Sequence, residues 1–135
     1  MKKKIKLPKF SQYLVNGFIV EQAEVEKLPE EAKGNLERAT VLKFLIASLN
    51  TPVEGHGGLT ASEIRDRSKI VDRLEAAEGE SSVTLDPAQY TLLKAAFRLT
   101  PWRQRHVLFV EIDDALEAAV DADDEAKKVP EEGET

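Results

Sequence analysis

The sequence has no cysteine, and this absence excludes several kinds of chemistry together. Without a thiol there is no disulfide framework, no cysteine nucleophile and no thiolate metal site. The two histidines, His56 and His106, lie in different parts of the chain, and neither has a second histidine at the spacing of a zinc site. We therefore expect neither a metal nor another cofactor.

Long apolar segments are also absent. No apolar run approaches the roughly 18 to 20 residues that a membrane-spanning helix needs. The lysine-rich start is not followed by the apolar stretch and small-residue cleavage site of a signal peptide. The composition, 41% hydrophobic and 33% charged, is that of an ordinary soluble chain. We expect a cytoplasmic protein that makes no membrane contact.

The common signatures of catalysis are missing as well. The glycine-rich segment GHGG around His56 lacks the Lys-Ser/Thr ending of a phosphate-binding loop and the GxGxxG spacing of a dinucleotide site. No GxSxG elbow presents a serine nucleophile. The pairs Asp113-Asp114 and Asp123-Asp124 could bind magnesium, but adjacent acids on an acidic helix are more often a solvated face. We expect no catalytic residues and no enzyme.

Charge is abundant but unevenly distributed over a chain of net charge −6. Residues 1–10 carry five lysines and no acid, whereas residues 111–135 carry eleven acids against Lys127 and Lys128. Two solvated ends of opposite sign are the simplest interpretation. The alternative is that one end contacts a partner of opposite charge, or that the acidic end shields the protein's own basic surface.

The segment SQYLVNGFIVEQ predicts a β-hairpin near the start of the chain. Asn-Gly between apolar runs is the strongest short-range hairpin signal, because a type I′ turn needs positive φ at both central residues. Pairing Val15 with Phe18 across Asn16-Gly17 gives the hairpin two apolar faces. Such a hairpin must pack against something, and we favour the protein's own helices over a neighbouring molecule.

Most of the remaining chain predicts helices. After Pro29, apolar residues with helical spacing indicate a helix over about 31–49. LTASEI and LDPAQY each form a capping box, so helices are expected from about 60 to 78 and from about 87 to 98. Between them, SSVTL could be a loop or a short strand. The last apolar segment, which opens at Thr100-Pro101, is favoured as a helix, with a strand over 107–112 as the alternative.

These elements together predict a mainly α domain with a small β part, that is, about four helices with an N-terminal β-hairpin. Residues 1–10 are predicted to be a basic arm, residues 11–120 a single domain, and residues 121–135 an acidic disordered tail.

The sequence RLTPWRQRH gives a protein-interaction role a location. It places arginines and a histidine around the only tryptophan, and Trp and Arg are the residues most enriched in interface hot spots. The alternative is that Trp102 anchors the last helix in the core while the arginines extend to water. The predicted partner-binding residues are Arg98, Trp102, Arg103, Arg105 and His106, with a possible second contact at Tyr13, Phe18 and Ile19 of the hairpin.

Two functions follow from these observations. The favoured one is a non-enzymatic interaction or assembly protein that binds another protein or itself, a role for which small helical chains without cysteine are common among phage and bacterial operon accessory proteins. The alternative is a small winged-helix-like DNA-binding regulator, in which Arg65, Lys69 and Arg73 line one side of the reading helix. Neighbouring acids and the pI near 5.0 argue against nucleic acid.

Overall fold

A computed structural model describes residues 2–51, 59–102 and 104–122 of the chain. In chain order its elements are β1 (Lys3–Lys6), β2 (Lys9–Val15), β3 (Phe18–Val20), a 3₁₀ segment (Gln22–Lys27), α1 (Glu30–Lys33), β4 (Leu36–Thr40), α2 (Val41–Leu49), α3 (Ala61–Ala76), β5 (Ser82–Leu85), α4 (Pro87–Leu99), α5 (Val107–Glu117) and β6 (Val120–Asp121). The strands form two antiparallel sheets, which we call the hairpin sheet (β3-β2-β4) and the terminal sheet (β5-β1-β6).

The predicted hairpin is the centre of the hairpin sheet. Asn16 and Gly17 have φ of 51° and 87°, the positive values that the two-residue turn requires. Val15 lies opposite Phe18, as the sequence predicts. The turn and its register are therefore confirmed.

Strand β4 corrects the predicted helix over 31–49. The structure divides this range into α1, β4 and α2, and β4 pairs with the open side of β2, with Leu36 opposite Val15. Helix α2 then begins directly after β4, because the Thr40 side chain caps it by accepting a hydrogen bond from the Lys43 backbone N–H. A pairing partner some twenty residues earlier leaves no local pattern in β4 itself, which is why the helical spacing of the later residues misled the prediction.

The basic arm predicted for residues 1–10 is also wrong in its central part. Strand β1 is the middle strand of the terminal sheet, between β5 and β6. Its Ile5 is fully buried, and Lys3 forms an ion pair with Asp121 at 2.8 Å. The lysines of β1 flank one apolar residue, so they conceal a strand whose partners lie far along the chain.

The predicted fold class is therefore wrong. The protein is not a helical domain with a hairpin attached but an α+β domain with two small three-stranded antiparallel sheets. One hydrophobic core joins both sheets to the helices. It includes Ile5 of β1, Leu14 and Ile19 of the hairpin, and apolar residues of α2 to α5. The packing of the hairpin on its own chain is confirmed.

Both predicted capping boxes are present. At α3 the Thr60 hydroxyl accepts from the Glu63 backbone N–H at 3.2 Å, and the Glu63 carboxylate accepts from the Thr60 N–H at 3.1 Å. At α4 the Gln89 side chain accepts from the Asp86 N–H at 3.1 Å. The short strand alternative for SSVTL is confirmed as β5.

The buried face of α3 differs from the expected one. Ile64, predicted to be buried, is 51% exposed, whereas Arg67 is buried. The Arg67 guanidinium donates to backbone carbonyls at the end of α2, with 2.9 Å to Leu49 O. A cation is favourable at this negative end of a helix, which explains why α3 turns an arginine inward.

The last helix is confirmed over Val107–Glu117, and the strand alternative is wrong. The helix begins later than Thr100-Pro101 because His106 is its N-cap, with the ring Nδ1 accepting from the Leu108 N–H at 3.1 Å. Beyond it, Val120 and Asp121 form β6, so the domain includes the first residue of the predicted tail. Residues 123–135 lie outside the described residues.

Candidate functional site

Trp102 lies half-buried in an aromatic cluster inside the domain. Its ring stacks on Phe109 with 4.6 Å between centroids, and it meets Phe97 and Phe44 at 5.5 and 5.9 Å. Such contacts stabilise a core beyond the area that they bury. The geometry agrees with the core-anchor alternative for Trp102, and its part in partner contact stays a prediction.

Arg98 is held within the chain by acids of α5. Its Nε donates to Asp113 Oδ1 at 2.8 Å, and its Nη2 also contacts Glu117. Lys94 Nζ binds the same Glu117 carboxylate at 2.7 Å. Hydrogen bonds from Lys94 and Arg98 lower the pKa of Glu117, and the bond to Glu117 raises the pKa of Lys94. This cluster joins α4 to α5, and it occupies one of the predicted binding residues.

His106 is likewise engaged, whereas Arg105 is exposed. Because Nδ1 of His106 accepts the Leu108 N–H, the neutral ring carries its hydrogen on Nε2, which donates to Glu21 Oε1 at 3.0 Å. Arg105 makes no ion pair with any described residue. Arg103 lies outside the described residues.

Between these residues, Gln104 closes the free edge of the hairpin sheet. Ile19 lies opposite Leu14 in the hairpin, at the position where the backbone groups of β3 point away from β2. The Ile19 N–H donates to Gln104 Oε1 at 2.7 Å, and Gln104 Nε2 donates to the Ile19 carbonyl at 3.0 Å. One side-chain amide therefore replaces the neighbouring strand that this edge would otherwise bind.

The three residues of the predicted second contact have different environments. Ile19 is buried in the core and is not available to a partner. Tyr13 is partly buried beneath the Arg38 guanidinium, whose Cζ lies 5.2 Å from the ring centroid. Phe18, next to the turn, is 46% exposed. Of this set, Phe18 alone is an exposed apolar side chain.

Through Gln104 and Glu21, the structure brings the two sequence-predicted regions together. The hairpin edge and the chain between α4 and α5 are joined by two side-chain contacts, Gln104 with Ile19 and His106 with Glu21. The exposed residues next to these contacts in the chain are what we call the hairpin–α5 surface. They are Phe18, Arg105, Val107 and Val110.

Sequence reasoning missed Gln104 and Glu21, the two residues that join the regions. A glutamine in a polar segment has no local signature that distinguishes an edge-closing amide from a solvated one. Glu21 comes directly after β3, but its histidine partner is 85 residues further along the chain. The apolar residues of α5 were visible, yet only the position of the helix start decides which of them are exposed.

Other kinds of site have weaker support. Within the described ranges, no group of three or more His, Asp or Glu side chains is arranged to hold a metal ion. A groove of about 580 Å³ lies where the β1–β2 connection meets the start of α2 and the end of α3. Its apolar floor includes Leu42, Ile46 and Leu74, and acids of α3 and lysines of β2 and α2 lie at its rim. Its volume is in the range of small-molecule sites, but its mixed rim selects no single ligand class.

The basic side chains of α3 lie on its solvent side. Arg65, Lys69 and Arg73 are all exposed, and they make no ion pair with another described residue. Asp66 and Asp72 are exposed on the same helix, so the stripe carries both signs of charge.

Comparisons with protein-family models, with curated proteins and with solved structures found no significant match for this chain. None of the helices in the described ranges combines the length and the apolar character that crossing a membrane requires.

Proposed function

We propose that the protein is a non-enzymatic interaction or assembly domain of the cytoplasm and that it binds a protein partner through the hairpin–α5 surface. The observation that carries this proposal is the exposure of three large apolar side chains beside one joint in the fold. Phe18, Val107 and Val110 are 46%, 59% and 58% exposed. Apolar side chains grouped at one place on a surface are typical of a contact site.

The fixed geometry of the joint supports the same proposal. Gln104 and His106 hold the start of α5 against the hairpin edge through side-chain contacts of 2.7 to 3.0 Å. A surface that is ordered before binding loses little conformational entropy when a partner docks. Arg105 extends from this ordered segment into solvent, which suits a contact at the rim of an interface.

A capture experiment with matched variants tests the surface. The tagged full chain is incubated with a lysate of its native host, and the retained proteins are quantified by mass spectrometry. The variant Phe18→Ser/Val107→Ser/Val110→Ser should retain at least about tenfold less of the partner, because hot-spot truncations cost 1 kcal/mol or more each. The control is Ile64→Ser, which removes an equally exposed apolar residue from α3.

The control should retain the partner at the level of the unmodified chain. Thermal melts of both variants must coincide with that of the unmodified chain, since a loss of fold would also reduce capture. Equal capture by all three proteins would contradict the proposed surface.

A DNA-binding regulator is the second candidate, and the unpaired basic side chains of α3 support it. If Arg65, Lys69 and Arg73 contact phosphates, binding to a random duplex should weaken steeply as salt is raised. The variant Arg65→Ala/Lys69→Ala/Arg73→Ala should then reduce both the affinity and its salt slope. The absence of measurable binding at low salt would remove this candidate.

A further inference from the structure

We propose that α5 pairs antiparallel with the α5 of a second copy of this chain, so that the protein forms a symmetric homodimer. This inference rests on the proposed function and names its partner. The argument comes from the outward side of α5, which carries opposite charge at its two ends and apolar residues between them.

The acids of α5 divide into two groups with different surroundings. Asp113 and Glu117 face α4 and are held by Arg98 and Lys94. Glu111 and Asp114 are exposed, and neither makes an ion pair with a described residue. The second group is therefore free to meet a cation from outside the chain.

The same outward side carries the exposed valines. Val107, Val110, Glu111 and Asp114 follow the i, i+3, i+4, i+7 spacing that places residues on one face of a helix. The face opposite to it, with Leu108, Ile112 and Leu116, is buried in the core. The outward face is apolar in its first half and acidic in its second.

A basic residue completes the pattern at the start of the helix. Arg105 precedes the first turn of α5, is exposed and has no ionic partner among the described residues. Along the outward side the order is therefore positive, apolar, then negative. A face with this order is complementary to itself when a second copy is reversed, whereas a parallel pair would place like charges opposite each other.

Twofold symmetry fits this arrangement. In a C2 interface the same patch serves both copies, and each contact occurs twice. The midpoint between Arg105 and Asp114 in the sequence lies beside Val110, so an axis at Val110 brings the arginine of one copy level with the aspartate of the other. The valines then meet around the axis, where apolar contacts exclude water from the flanking ion pairs.

Lys4 and Lys6 lie on the same side of the domain, because they line an open groove together with Glu111 and Asp114. A second copy must approach from the valine end of the outward face rather than fill this groove. Arg105 is therefore the residue whose charge the test changes, since it lies outside the groove lining.

The test measures the dimer dissociation constant of the full chain by sedimentation, at low salt and over concentrations up to about 200 µM, where contacts as weak as −5 kcal/mol are still visible. The unmodified chain should dimerise. Arg105→Glu and Asp114→Arg should each raise the dissociation constant about tenfold or more, because each places like charges opposite each other. The double variant Arg105→Glu/Asp114→Arg should restore it to within about threefold, because the ion pair re-forms with reversed polarity.

Two further variants separate the charge contacts from the apolar ones. Val107→Ser/Val110→Ser should raise the dissociation constant about tenfold or more, and Ile64→Ser should leave it unchanged. The charge-reversal series keeps the test decisive if the serine variant fails to fold. A monomeric unmodified chain, or a double variant as weak as the two single variants, would overturn the antiparallel dimer.

The outcomes also distinguish this inference from the proposed function. A monomeric chain that still captures a different protein, and loses it with the Phe18→Ser/Val107→Ser/Val110→Ser variant, would overturn the dimer but support the surface. A dimer that is insensitive to every α5 variant would contradict both the pairing and the use of this surface for self-association.

Discussion

The two sheets of this domain are of similar size but differ in how far apart their strands lie in the sequence. In the hairpin sheet, β2 and β3 are joined by two residues, and β4 follows within the next twenty. In the terminal sheet, β1 pairs with β5 and β6, which lie at least 75 residues later, as in the pairing of Lys6 with Ser82. Three distant segments therefore meet only when the whole domain is folded.

This difference determines which part of the fold the sequence reveals. A two-residue turn has a chemical requirement, positive φ, that Asn-Gly announces locally. Strand β1 has no such signal, because its pairing partners supply the context that makes it a strand. Its lysines resemble a solvated arm until Asp121 and the Tyr90 ring, 6.0 Å from Lys3 Nζ, are brought beside it.

The largest expected effect is in β1. Ile5→Ala should destabilise the domain by about 2 to 5 kcal/mol, because it leaves a cavity at a fully buried position between β5 and β6. Urea unfolding of the variant and of the unmodified chain measures the difference.

Lys6→Ala is the matched control, since Lys6 is exposed on the same strand and surface substitutions usually change stability by less than about 0.5 kcal/mol. Equal stability of Ile5→Ala and the unmodified chain would restore the interpretation of residues 1–10 as a solvated arm.

Gln104→Ala should have the next largest effect, on the edge of the hairpin sheet. It leaves the partly buried Ile19 N–H and carbonyl without their partner, at a cost of about 1 to 3 kcal/mol. Amide exchange at Ile19 should accelerate more than exchange at Tyr13, whose pairing with Arg38 and Val20 is unaffected. Arg105→Ala, the exposed neighbour, is the control, and equal exchange rates at Ile19 in all three proteins would show that the amide is not needed.

Gly17→Ala tests the local signal itself. At φ of 87° a Cβ strains the backbone although no atom lies within 4 Å of its position, so a loss of about 1 kcal/mol is expected from conformation alone. Asn16→Gly should be tolerated, because glycine accepts the positive φ of that position. Thermal melts compare the two variants, and an unchanged melt for Gly17→Ala would mean that the turn adopts another form in solution.

The smallest effect expected is a pH dependence that separates the two sheets. The pKa of Glu117 is lowered by hydrogen bonds from Lys94 and Arg98, so its stabilising contribution is present above the ordinary glutamate pKa and is lost as the pH falls through the lowered value. Glu117 ends α5 immediately before β6. Acid should therefore increase amide exchange at Ala122, whose N–H binds the Lys2 carbonyl, before it affects β2 and β3.

Glu117→Gln is the control for this titration, because it cannot ionise. Its stability should approach that of the unmodified chain as the pH falls from about 5 to about 3, since the unmodified chain loses its ionised form across that range. A constant difference between the two proteins over the same range would contradict the assignment to Glu117.

The sequence predicted the features whose cause is local. The Asn16-Gly17 turn and both capping boxes depend on residues within four positions of each other, and all three are present. Strand β4 and the inward turn of Arg67 could not be predicted, because the first depends on β2 and the second on the end of α2. The same limit applied to the candidate site, where the exposure of Val107 and Val110 depends on where His106 starts the helix.

The buried arginine of α3 has a consequence for cooperativity. The carbonyl oxygens of Ser48, Leu49 and Thr51 surround one nitrogen of the Arg67 guanidinium, much as backbone carbonyls surround a bound cation. The last turn of α2 is therefore completed by a ligand that only a docked α3 can supply. In any partly unfolded state without α3, the end of α2 loses these bonds and frays, so the two helices form and open as one unit.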